Sequence, residues 1–279
     1  MIGIVTDSNS QLPPELQERY HVEVVPLTVV VDGTDYAEGV DLDADGFYAF
    51  FSDGHVPTVS TAQPSPGRFA EAYERAAARD ATEVLSIHIG SAISGTLNSA
   101  KVAAADAPVP VRLVDTGTSS FGIACCVWEA GEAIASGATI DEAAGVAEST
   151  AATIGNVFVV KALDLARAGG RVVVAEDDAL DAIPVLSLVG GDLQVVGQVS
   201  DVAAAADAMS AYATRPELGD QLRVAVGIAD AGAAPLWNAL EDRLRDHASV
   251  VDLVRYRIGP SVGAHTGPGT AGAFFYPAG

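Results

Sequence analysis

A chain of 279 residues, 49% of them apolar, is long enough for one large or two medium domains with a sizeable core. Its 37 acidic against 15 basic side chains leave a formal charge of −22, a surface that repels phosphate backbones and argues against nucleic-acid binding. No apolar run approaches the roughly 18 residues of a membrane span, and no signal-peptide pattern precedes the first apolar run, so a cytoplasmic location is expected.

Ile2 to Thr6 is a short apolar run ending in Asp7-Ser8-Asn9-Ser10, and Pro13-Pro14-Glu15 then opens a helix, proline and an acid both being start signals. Val22 to Val31, interrupted by Pro26, reads as a second strand. Glu83 to Ile89 is a third, followed at once by Gly90-Ser91 and a helix starting at Ser94-Gly95-Thr96. Val109 to Val114 is a fourth, ending in Asp115-Thr116-Gly117 before a helix around Ala124 to Ala135. Strand, polar turn and helix repeated in this way predict a parallel sheet with covering helices, and ligands bind such sheets at the carboxyl ends of the strands.

Past residue 155 the texture changes to α+β with a mixed sheet. A strand at Val157 to Val160 leads to a helix over Lys161 to Arg167 that ends at Gly169-Gly170. Ile183 to Leu188, a Gly190-Gly191-Asp192 turn and Leu193 to Val196 read as a hairpin. Val202 to Ala213 and Ala234 to Arg245 are helical; Arg223 to Ala229, Val250 to Ile258 and Gly272 to Tyr276 are strands. The expected organisation is therefore an N-terminal α/β domain over residues 1–155 and a C-terminal α+β domain over residues 156–279.

Several motif matches fail on physical grounds. Gly259-Pro-Ser-Val-Gly263 fits a nucleophile elbow, but that arrangement needs an acid and then a histidine later in the chain, and no Asp or Glu follows Asp252. Gly267 to Gly272 fits a dinucleotide fingerprint with only seven residues of chain beyond it. Asp41-Leu-Asp43-Ala-Asp45-Gly46 resembles the opening of a calcium loop, yet the twelfth position is Ser52, so an acidic helix start is the better reading. The five histidines show no metal-ligand spacing, and no metal or cofactor is expected. Adjacent Cys125 and Cys126 read as core packing.

Four short segments remain that are rich in hydroxyls, glycine and cations. They are Ser60 to Ser65, Ser94-Gly95-Thr96, Gly169-Gly170-Arg171, and His265-Thr266-Gly267-Pro268-Gly269. Small hydroxyls offer hydrogen bonds without bulk, and glycine lets the backbone approach a ligand closely. If they converge, they form an anion-binding spot at the mouth of an apolar pocket. Spacing alone leaves equally open that they are unrelated surface turns.

Together with Thr6-Asp7-Ser8, Val25-Pro26-Leu27 and Asp115-Thr116, these segments resemble the DegV family from residue 2 to about residue 276. The resemblance implies a two-domain α/β protein holding a long-chain fatty acid in a tunnel between the domains, as the acyl-binding subunit of a bacterial fatty acid kinase system. It implies that Thr61 and Ser94, the latter in the Ser94-Gly95-Thr96 turn, hydrogen-bond the carboxylate, with Arg171, His265 and Thr266 beside it. It assigns no catalytic residue. The sequence departs from the family's usual pattern at Ala62, where a serine is common, and at Ala182-Ile183-Pro184, which lacks a lysine. Burial of the tail at about 0.8 kcal/mol per CH₂ would supply a large gross driving force for an acid of about 16 carbons.

Two rival readings stand beside this one. One is a small-molecule hydrolase or transferase using Ser94, His265 and Arg171; the other is a carrier for a different amphiphilic acid.

Overall fold

A computed structural model describes residues 1–161, 182–189 and 192–278, and its contacts divide the chain into two units. The first comprises Met1–Leu42 and Thr58–Ala152, the second Asp43–Pro57 and Thr153–Gly279. The expected two-domain α/β architecture, a parallel sheet followed by a mixed one, is what the chain forms.

In the first unit, β1 (Ile2–Asp7), β2 (Glu23–Val25), β6 (Glu83–His88) and β7 (Val111–Asp115) make a parallel sheet in the order β2-β1-β6-β7. Ile4 to Asp7 of β1 and Val84 to His88 of β6 are buried whichever side they face, as expected of parallel strands covered by helices. Helices α3 (Pro66–Ala78) and α4 (Thr96–Ala104) bring Phe69, Ala72, Tyr73 and Ala100 onto Val5, Val25 and Val84. Helix α5 (Phe121–Ala135), which carries both buried cysteines, packs against β1 and β6.

The expected strand over Val22 to Val31 is two strands in two sheets. Glu23–Val25 pairs in parallel with β1, whereas β3 (Thr28–Val31) pairs antiparallel with β4 (Thr34–Ala37) and β5 (Val59–Ala62). Pro26 has no N–H to give, and the next N–H, on Leu27, donates to Ser8 Oγ at 2.9 Å, so no ladder runs through this point. Thr61, expected in a turn, thus lies on a strand opposite Val29.

The second unit is built on a six-stranded sheet in the order β10-β9-β8-β13-β11-β12. Its strands are β8 (Gly155–Val159), β9 (Ile183–Val189), β10 (Asp192–Val199), β11 (Leu222–Ile228), β12 (Val250–Arg257) and β13 (Ala271–Pro277). Strands β11 and β12 run parallel, and β9 and β10 form the expected antiparallel pair. Two helices, α7 (Val202–Ala213) and α8 (Ala234–Arg245), bury Met209, Leu240 and Leu244 against Val157, Leu222 and Phe275.

Helix α2 (Ala44–Ala49) joins this second unit although it precedes β5 in the chain. Asp43 caps it by accepting from Gly46 N at 2.8 Å, which is the acidic helix start expected there. Asp45 accepts from Arg257 at 2.7 Å. A Cβ at Gly263, in α9 (Pro260–Thr266), would meet the Tyr48 hydroxyl at 2.6 Å and Phe47 at 2.7 Å, so a glycine is needed for α2 and α9 to approach this closely. A single boundary near residue 155 would leave residues 43–57 with the first unit; their contacts group them with the second.

Glu241 ties α8 to β12. Its buried carboxylate accepts from Arg255 Nε at 2.8 Å and Nη2 at 2.7 Å, and from Arg245 Nη2. The Arg255 hydrogen bonds hold the carboxyl below the usual range, burial opposes them, and Arg245 adds to the lowering. A carboxyl whose folded pKa lies below its unfolded value of about 4.3 contributes fully at neutral pH, and that contribution is lost as pH falls through the folded value. Glu241→Gln is therefore expected to cost about 2 kcal/mol at pH 7 and much less at pH 3. Urea midpoints at the two pH values check this; an equal loss at both would be contrary to it.

Candidate ligand-binding site

The loop from β6 into α4, residues 89–95, is held from three neighbouring segments. From β1, Asp7 Oδ2 accepts from Ile89 N at 3.1 Å. At the end of β7, Asp115 accepts from Ser91 N at 3.1 Å and Ser91 Oγ at 2.5 Å, and also from Gly117 N at 3.0 Å. Gly90 N donates to Thr118 O at 2.8 Å. Partial burial works to raise the Asp115 carboxyl, but the hydrogen bonds from Ser91 and Gly117 outweigh it and leave it below the ordinary carboxylate range.

The third holding point is β5. Gln63, one residue past that strand, donates to Ser99 Oγ in α4 at 3.3 Å. Its amide lies over Gly95 so closely that a Cβ there would fall 2.0 Å from Gln63 Oε1. The strand carrying Thr61 and the turn carrying Ser94, Gly95 and Thr96 are therefore brought side by side. Ser94 Oγ lies 2.8 Å from Thr96 Oγ1 and accepts from Thr96 N at 3.3 Å. Thr61 and Ser94 are half-buried, whereas Thr96 is 0% exposed. The result is an edge of hydroxyls at the start of a nine-residue helix, an end whose partial positive charge favours an anion.

Beneath this edge runs a sealed chain of polar side chains. His88 Nδ1 meets Asp7 Oδ2 at 3.0 Å, His88 Nε2 meets Ser86 Oγ at 2.6 Å, and Ser86 Oγ meets Tyr73 OH at 3.0 Å. With the Nδ1 proton on the Asp7 side, Ser86 donates to Nε2 and Tyr73 to Ser86. Burial pushes the Tyr73 phenol up to about 12, against a smaller lowering by Ser86, so it keeps its proton as a donor. The distances are those of a hydrolytic triad, but Asp7, Ser86 and His88 are each 0% exposed. Ser86 has no room for a substrate; the chain is a fastening between β1, β6 and α3.

Of the other expected site residues, two belong to the second unit. His265 and Thr266, expected in a glycine-rich turn, occupy the last turn of α9 in the second unit, and the positive φ of Gly267 and Gly269 follows them. Thr266 Oγ1 donates to Val262 O at 3.2 Å, and Gly269 N donates to Asp230 Oδ1 at 2.9 Å. Arg171, with Gly169-Gly170 and the helix expected before them, lies outside the described residues. Asp115 and Gln63 stood in segments that the sequence marked, without the holding roles they have here; Ser99 is the contributor that sequence reasoning did not single out. Among the described residues, no group of three or more His, Cys, Asp or Glu is placed to hold a metal ion, and no helix is long and apolar enough to cross a membrane.

Comparison with known proteins adds independent findings. The family model described as uncharacterised protein, DegV family, matches residues 1–278. A DegV domain-containing protein of Streptomyces coelicolor is 36% identical over 275 residues, which cover 97% of this chain and 96% of the relative. A solved DegV family protein from Thermus thermophilus, described by its fatty acid binding, gives a TM-score of 0.88 at 29% identity, with 99% of each chain covered. A Thermotoga maritima structure described as revealing a fatty acid binding function gives 0.85 at 28% identity, again over 99% of each chain.

Proposed function

The chain belongs to the DegV family, and on that premise we propose that it binds a long-chain fatty acid, its carboxylate held by Thr61 and Ser94. The observation that carries this reading is the pairing of the Thr61 strand end with the Ser94 turn at the start of α4, fixed by Gln63. That the Thermus and Thermotoga relatives bind fatty acids supports the ligand class. In a chain of charge −22 the general field opposes an anion, so the head group depends on local donors of this kind. Gly95 and Thr96 belong to the same turn, and Arg171, His265 and Thr266 are assigned to the head group by family resemblance.

In this reading the chain is a binding subunit without catalysis of its own. It presents the carboxylate to a separate fatty acid kinase, which transfers the phosphoryl group. The Ser94 hydroxyl is engaged by Thr96, and the serine that does meet an Asp-His pair is the sealed Ser86. Both facts weigh against a hydrolase.

Denaturing extraction of purified protein followed by mass spectrometry should release a C14–C18 acid in stoichiometric amount. Thr61→Val combined with Ser94→Ala should weaken oleate binding about 30-fold, the loss expected from two hydrogen bonds to a charged group, and change oleyl alcohol binding far less. Protein that carries no lipid and refuses added oleate would sink the proposal. Unchanged oleate affinity in the double variant would instead show that the head group sits elsewhere.

A further inference from the structure

We propose that Thr96 is a positioning residue for the Ser94 hydroxyl rather than a ligand contact, an inference that rests on the fatty-acid reading above. Thr96 is 0% exposed, and among the described residues the partner of its hydroxyl is Ser94 Oγ at 2.8 Å. A buried hydroxyl gives its proton to an acceptor wherever one is available. If Ser94 were the donor of this pair, the Thr96 proton would be buried with no acceptor among the described residues, the costlier arrangement. Thr96 therefore donates to Ser94.

The Thr96 N–H, 3.3 Å from Ser94 Oγ, supplies a second donor to the same oxygen. A serine hydroxyl has two acceptor positions and one proton. With both acceptor positions filled by Thr96, the Ser94 proton is directed away from the helix, and Ser94 acts as a donor to whatever lies beyond the turn. That polarity suits a carboxylate, which accepts and does not donate. It also strengthens the donor, because hydrogen bonds in a chain polarise one another. Ser94 is half-buried, so its proton has somewhere to go, whereas Thr96 is sealed behind it.

The test compares Thr96→Val, Thr96→Ser and Ser94→Ala, alone and with Thr96→Val added to Ser94→Ala, by oleate titration. Thr96→Val should weaken oleate about fivefold by releasing the Ser94 hydroxyl to rotate, and Thr96→Ser should restore affinity to within about twofold. In the Ser94→Ala background the valine should change affinity by less than about twofold, because its effect passes through Ser94. A merely structural role predicts the same loss in both backgrounds, and that result overturns the inference, as does a Thr96→Val protein that binds like the wild type. Should Thr96→Val fail to fold, Thr96→Ala carries the same comparison. A wild-type protein that does not bind oleate removes the fatty-acid reading and this inference together; one that binds oleate but ignores Thr96 removes this inference alone.

Discussion

Asp7→Ala is expected to destabilise the first unit by about 3–5 kcal/mol, because it leaves three buried donors unmet at about 1–3 kcal/mol each. Asp7 is fully buried and accepts three hydrogen bonds: Ile89 N at 3.1 Å, Asn9 N at 3.1 Å and His88 Nδ1 at 3.0 Å. Removing the carboxylate orphans two backbone N–H groups and one imidazole inside a buried site. Asp7→Asn keeps an acceptor but cannot serve all three donors, and is expected to cost roughly half as much. The protein offers a clean readout, because its two tryptophans fall one in each unit, Trp128 and Trp237. In a Trp237→Phe background, Trp128 fluorescence reports unfolding of the first unit alone. A shift of less than about 1 kcal/mol for Asp7→Ala would show that the relay is not the fastening described here.

The same substitution is expected to weaken oleate binding, since Ile89 opens the loop that carries Ser94. The link from stability to function runs through one backbone N–H. Ser91 and Asp115 hold the loop from its other side, so the residual affinity of Asp7→Ala measures how far the two holds are independent.

Much of this fold was legible because its signals are local. Alternation of apolar runs with polar turns and helix starts marked β1, β6 and β7, and the doubling of valines and leucines around residues 190–191 marked β9 and β10. What the chain hid is long-range. Pro26 announced an interruption, but not that the halves on either side enter different sheets; that depends on Ser8 taking the Leu27 N–H. The hairpin between β3 and β4 did carry a signal, since Asp32-Gly33 supplies the two positive φ values of a tight turn, and it was not read as one. The transfer of residues 43–57 to the second unit rests on the absence of a side chain at Gly263, more than two hundred residues away, which no periodicity reports. At the site, the hydroxyl residues were visible as a composition and Asp115 as the acid ending a strand, whereas the contacts of Gln63 with Gly95 and Ser99 depend on geometry alone.

Gly90→Ala and Gly95→Ala separate two kinds of close approach, and their expected effects are opposite to the bare distances. A Cβ at Gly95 would fall 2.0 Å from Gln63 Oε1, the nearer clash, but that atom ends an exposed, flexible side chain. Gln63 can swing away at the loss of its bond to Ser99, so Gly95→Ala should cost less than about 1 kcal/mol in stability. A Cβ at Gly90 would lie 2.8 Å from the Gly117 carbonyl carbon and 2.9 Å from its Cα, which are backbone atoms. Gly117 sits at φ +61 with its N–H fixed on Asp115, so it has no rotamer to change. Gly90→Ala must move one chain segment against another, and a cost of about 3 kcal/mol is expected, the upper part of the range for overpacking. Because Gly90 lies in the loop that carries Ser94, Gly90→Ala should also lose oleate affinity, while Gly95→Ala should lose affinity with little change in unfolding midpoint. Equal stabilities for the two variants would mean that the Gly90–Gly117 contact yields as readily as a surface glutamine.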